Sequence, residues 1–93
     1  MIDYVLKADG AWFTVEPADG KEYTLREVQE IVGGYIEVLR FTEYHWLVLD
    51  EEGKLKNLPY NPIATLMCHI LECIDKNDWI VGDVLVCQRS HIT

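Results

Sequence analysis

Cysteine and histidine are the residue types in this chain that could hold a metal or act as nucleophiles, and it has three of each. Cys68 and Cys73 stand five positions apart, which on a helix separates their side chains by about 140° around the axis. His69 and Cys73 stand four positions apart and share a helix face, yet two ligands leave a zinc site half complete. We therefore predict no metal site and no cofactor.

Acid–base or nucleophilic catalysis would need side chains that converge on one bond. Glu51 and Glu52 are neighbours in a turn and point apart, so they indicate a charged turn rather than a carboxylate pair. Ser90 is the sole serine, and the chain has neither a Gly-x-Ser-x-Gly elbow nor a cysteine paired with a base by motif. A triad assembled from distant positions stays open. The prediction is a protein without catalytic residues, not an enzyme.

A glycine pair and several aromatic rings are the remaining features that could suit ligand binding. A phosphate-binding loop places its glycines before a helix, whereas Gly33 and Gly34 follow one. We predict a helix end there and keep close approach of a ligand to the backbone as the alternative. Most rings of so short a chain belong in a core, and an exposed one would suit stacking or an interface. The rings considered are Trp12, Trp46, Trp79, Tyr35, Tyr44 and Tyr60.

Alternating apolar residues bounded by turn signals predict a mainly antiparallel sheet. The first two strands and the next two form hairpins, and the last two segments flank a turn or bulge at Gly82-Asp83. The predicted strands are residues 2–7, 12–16, 35–41, 45–49, 79–81 and 84–86.

Two helices are predicted from their capping signals. Thr24 and Glu27 have the spacing of a capping box, and the helix that begins there ends at Gly33-Gly34. Asn61 and Pro62 are an N-cap and a first helical residue, and the apolar pattern extends this second helix to about residues 76–77. The predicted fold class is α+β, a mainly antiparallel sheet of four to five strands with two helices packed on one face.

Composition limits the classes of partner. Ninety-three residues suffice for a single domain, 1–93. The formal charge of -8 argues against nucleic-acid binding, which needs clustered cations. Apart from residues 50–52, the acidic residues are scattered singly, which indicates a solvated surface and makes DNA mimicry a minor alternative.

Location and assembly follow from similar observations. No run approaches the roughly 20 apolar residues of a membrane span, and the N-terminal residues do not form a signal peptide, so we expect no membrane association. The odd number of cysteines favours a reducing cytoplasm. Because so small a core stabilises weakly, a homo-oligomer is expected.

Four blocks of the sequence carry a resemblance to a known family. They are Val32-Gly33-Gly34-Tyr35-Ile36-Glu37, Glu51-Glu52-Gly53-Lys54, Leu58-Pro59-Tyr60-Asn61 and Ile80-Val81-Gly82-Asp83-Val84-Leu85-Val86. They resemble a domain of unknown function that is common in phages and mobile elements, and the resemblance covers roughly residues 23–87. Members often have Asn where this chain has Asp50, and a basic pair where it has Pro62-Ile63.

The resemblance implies an accessory protein with an anti-defence role, and two mechanisms stay open. In the first, the protein sequesters a small nucleotide-derived signal molecule without altering it. In the second, its acidic surface or an exposed strand binds and blocks a host protein. The residues expected to bind the ligand are Gly34, Tyr35, Glu37, Arg40, Lys54 and Asn61.

Overall fold

The computed structural model describes residues 2–92. Its elements follow the chain as β1 (Asp3–Leu6), β2 (Trp12–Val15), α1 (Leu25–Val32), β3 (Ile36–Arg40), β4 (His45–Asp50), α2 (Pro62–Ile70) and β5 (Val84–Gln88), with a short 3-10 turn at Arg89–His91. The five strands form one sheet in the order β2-β1-β5-β4-β3. All four strand pairings are antiparallel. The predicted α+β class and both hairpins are confirmed.

The helix starts agree with the capping signals. Thr24 accepts a hydrogen bond from the Glu27 amide, and the Glu27 carboxylate accepts one from the Thr24 amide. Gly33 ends α1 in the left-handed conformation, with φ of 93°, which glycine adopts without a Cβ clash. Asn61 caps α2, and Pro62 is its first residue.

The two helices lie on opposite faces of the sheet, so the prediction that both pack on one face is wrong. On one face, Ala64 and Cys68 of α2 pack with Leu47 and Val86, within a larger buried cluster. The other face has its own cluster, in which residues of α1 meet residues of β1, β4 and β5. Its buried members are Val5, Tyr23, Val28, Val32, Val48, Leu85 and Cys87. Because neighbouring strand residues alternate between faces, β5 is apolar on both.

Two further boundaries differ from the prediction. α2 ends at Ile70 rather than near residues 76–77, because Glu72 takes a positive φ of 56° and turns the chain back. This turn lets Cys73 and Ile74 pack against the core under α2. Residues 79–81 form no strand; Val81 makes only an isolated bridge with Tyr60.

Candidate functional site

Four of the six residues predicted to bind a ligand lie along one edge of the sheet. Gly34 and Tyr35 lead into β3, and Glu37 and Arg40 belong to it. Lys54 lies in the loop after β4 and faces the same cleft as Glu37. Asn61 lies elsewhere, so the six residues do not share one recess.

Asn61 is a fully buried structural residue. Its amide nitrogen donates to the carbonyls of Leu6, at 3.1 Å, and Gly82, at 2.9 Å. Its side-chain oxygen accepts from the Ala64 amide at 3.1 Å. Because the side chain is 0% exposed and every polar group is satisfied, it binds three chain segments together instead of a ligand.

Gly34 lies against an ion pair of neighbouring side chains. A Cβ atom at this position would lie 2.4 Å from Lys56 Nζ and 3.0 Å from Asp50 Oδ2. These two side chains form an ion pair of 2.7 Å, with the Asp50 carboxylate almost fully buried. The glycine therefore makes room for a salt bridge, while the neighbouring Tyr35 ring is 66% exposed.

β3 is an edge strand, and no strand within residues 2–92 pairs with its outer backbone groups. The amide of Phe41 donates to His45 O, and the amide of Glu51 donates to Tyr35 O. In an antiparallel ladder hydrogen-bonded pairs alternate with non-bonded pairs. With the observed register, this places the backbone groups of Ile36, Val38 and Arg40 on the outer side. An open edge of this kind is a template for another strand.

A cleft of about 240 Å³ lies beside β3. Leu39 and Leu49 form part of its lining on the sheet side, and Ile74 and Trp79 come from the chain after α2. Charged side chains also line it: Glu37, Asp50, Glu51, Lys54 and Asp78. The cleft thus combines apolar surface with several carboxylates next to an open strand.

The positively charged side chain of Lys54 already occupies one position in this cleft. The Lys54 ammonium lies 4.1 Å from the centre of the Trp79 ring and pairs with the Asp78 carboxylate. This hydrogen bond from Lys54 is the main reason that the pKa of Asp78 is lowered. Ring face and carboxylate together favour a positive charge.

Two carboxylates of the cleft have no such partner. Within residues 2–92, neither Glu37 nor Glu51 has a side-chain hydrogen bond or ion pair. Both are exposed. They leave an excess of negative charge, which suits a ligand with an ammonium or guanidinium group.

A cluster of hydrogen-bonded side chains outside the cleft joins the two ends of the described chain. The buried Asp3 carboxylate accepts hydrogen bonds from the Tyr23 hydroxyl, at 2.7 Å, and the Gln88 amide, at 2.9 Å, and lies 2.5 Å from His91 Nδ1. Burial, and then the bond to Asp3, raises the pKa of Tyr23 well above its usual value. No sequence motif marks this group, because Asp3 and His91 are 88 positions apart.

Asp78 of the cleft was also missed from the sequence, since 24 positions separate it from Lys54. Over residues 2–92, no three His, Cys, Asp or Glu side chains are grouped in a way that could hold a metal ion. In the same part of the chain, none of the helices has the length and apolar character to cross a membrane.

These features define a small α+β domain with an open-edged antiparallel sheet and a charged cleft beside one edge. The chain belongs to a family described as a domain of unknown function, DUF3846, whose model matches residues 5–92. Comparison with curated proteins and with solved structures gave no match.

Proposed function

We propose that this domain is a non-catalytic binding protein that takes an extended segment of a partner protein as an additional strand on β3. The observation that carries the proposal is the free outer edge of β3 beside the carboxylate-lined cleft. In strand addition, main-chain hydrogen bonds supply affinity and pockets for alternate side chains supply specificity. β3 and its cleft offer both.

The chemistry of the cleft defines the partner. Glu37 and Glu51 are unpaired carboxylates within residues 2–92, and Leu39 and Trp79 supply apolar surface. A lysine or arginine side chain combines a positive head with an apolar stem and fits both kinds of surface. The proposed partner is therefore an extended segment with Lys or Arg at the position that faces the cleft.

Sequestration of a nucleotide-derived signal has less support from the same observations. The volume of about 240 Å³ is below the roughly 300–1,000 Å³ typical of small-molecule pockets. The carboxylates would also repel phosphate groups. Tyr35, with Arg26 and Lys56 nearby, lines a separate recess of about 500 Å³. This recess is large enough for a small molecule, but it is shallow and both cations are already paired with carboxylates.

The biological setting is part of the proposal. A small acidic protein that adds a partner segment to its sheet blocks that segment by binding it. One molecule of the protein is needed for each molecule of the partner. Such stoichiometric blocking suits an accessory protein of a phage or mobile element that disables a host defence protein in the cytoplasm. No turnover of the partner is involved.

The test is selection from a random peptide library followed by NMR titration of the full chain. We expect the selected peptides to carry Lys or Arg and to shift amide resonances along β3. Val38→Pro removes an outward amide without touching the pairing of β3 with β4, since proline is tolerated at such edge positions. It should weaken peptide binding at least about tenfold, a loss of about 1.4 kcal/mol.

The matched control is Thr14→Pro on the opposite edge. The Lys7 amide donates to Ala11 O, and with the register of β1 and β2 this places the Thr14 amide on the outer side of β2. T14P should leave peptide binding unchanged. Equal loss in both variants, or shifts away from β3, would contradict the proposal. Titration with nucleotides in the same experiment tests the sequestration alternative through the Tyr35 resonances.

A further inference from the structure

The outer face of α2 is apolar and exposed. Ile63, Leu66 and Ile70 expose 40%, 60% and 69% of their surfaces, and Met67 is half-buried beside them. The opposite face of the helix is buried through Ala64, Thr65 and Cys68, and Ala64 and Cys68 pack on the sheet. A helix that is apolar all round is normally covered on all sides, so this outer face indicates an interface.

The same region is free of charge. From Asn57 to Leu71 the chain contains no Asp, Glu, Lys or Arg, and its other uncharged runs are no longer than six residues. On a chain with a formal charge of -8, this is the surface that a second, equally acidic copy can approach without placing like charges against each other.

The apolar pattern is also self-complementary. Ile63, Leu66, Met67 and Ile70 recur at i, i+3, i+4 and i+7, an arrangement that is symmetric about its centre. A two-fold axis across the helix between Leu66 and Met67 places Ile63 of one copy against Ile70 of the other. It also brings the positive N-terminal end of each helix towards Glu72 of its partner, which is favourable.

We propose that the outer face of α2 is the interface of a two-fold symmetric homodimer, with the two α2 helices packed antiparallel. A standard interface takes about 800 Å² from each copy, about a seventh of the 5847 Å² that one chain exposes. Tyr60, 54% exposed, precedes α2, and Leu71, 44% exposed, follows it. They extend the apolar surface at both ends of the helix.

This inference goes beyond strand addition on β3 and is tested independently of it. Analytical ultracentrifugation of the full chain between about 1 and 100 µM, a range of ordinary self-association constants, should show a concentration-dependent dimer. Leu66→Glu should weaken dimerisation at least about tenfold, since it buries a charge against its own copy. Leu25→Glu on α1 is the matched control, because Leu25 is also 60% exposed, and it should leave the dimer unchanged.

Two further readouts distinguish a homodimer from a contact with a different protein. Added salt should strengthen self-association, because it screens repulsion between two acidic copies; a contact with a basic partner would weaken instead. The second readout uses a Cys73→Ser background, which removes a partly buried thiol. In this background Leu66→Cys should form an intermolecular disulfide under mild oxidation, whereas Leu25→Cys should not. A monomer over the whole concentration range, or an unchanged dimer in L66E, would overturn the proposal.

Discussion

The amide of Asn61 connects three parts of the chain. It ties the end of β1, through Leu6 O, to the Gly82 turn and to the first turn of α2. Two of these three bonds need an N–H donor, which only the amide nitrogen provides. At the scale of a single residue, Asn61 was predicted to bind a ligand, but its side chain makes structural hydrogen bonds inside the fold.

Asn61→Asp should lower the free energy of unfolding by on the order of 3 kcal/mol, because it replaces two buried donors with a carboxylate oxygen facing two carbonyl oxygens. Chemical denaturation monitored by circular dichroism measures the change. Asn77→Asp is the same substitution at an exposed position and should change stability little. Equal stability of N61D and N77D would show that the hydrogen bonds of Asn61 contribute nothing.

Two glycines of the sequence blocks, Gly53 and Gly82, lie against residues of other blocks. A Cβ at Gly53 would lie 2.9 Å from Val81 Cγ2, and one at Gly82 would lie 2.8 Å from Leu58 Cδ1. The Leu58 amide also donates to Gly53 O at 3.0 Å. At the scale of elements, three of the four blocks therefore pack on one another. Their residues stabilise the loops that border the cleft.

The start of α1 is fixed by its capping box, and Thr24→Ala tests it. Loss of the hydroxyl leaves the Glu27 amide without an acceptor and should lower the free energy of unfolding by about 1 kcal/mol. Thr24→Ser keeps the oxygen and should retain nearly all of the stability. Thermal denaturation compares the two variants, and an equal loss in both would contradict the capping role.

At the scale of the whole molecule, the burial of two thiols makes the free energy of unfolding depend on pH in the alkaline range. Burial, with smaller contributions from neighbouring groups, raises the pKa of Cys68 and of Cys87 to about 12. Both side chains are 0% exposed. In the unfolded chain these thiols ionise near pH 8.5. The folded state therefore holds more protons above this pH, and the free energy of unfolding falls as pH rises.

Each thiol should account for a fall of about 1 kcal/mol between about pH 9 and pH 10. Urea denaturation at the two pH values measures this slope. Cys87→Ala removes one of the two thiols and should reduce the slope by that amount, even if the smaller side chain lowers stability at both pH values. A slope identical to that of the unsubstituted chain would rule out the thiol as its cause.

The sequence by itself determined the features that depend on near neighbours. The Thr24 capping box, the left-handed Gly33, the Asn61 cap and the two hairpins each involve residues a few positions apart, so their patterns are legible without the fold. The uninterrupted apolar residues of β5 also indicate a strand that is covered on both faces. This pattern favours helices on opposite faces of the sheet, as observed, over two helices on one face.

Tertiary structure decided which residues meet. It placed α1 and α2 on opposite faces, ended α2 at Ile70 and buried Asn61. It also paired Lys54 with Asp78, 24 positions away, and it placed Tyr35 and Glu37 in two separate recesses along an open edge. Such contacts depend on the path of the chain between distant segments, which no local spacing encodes.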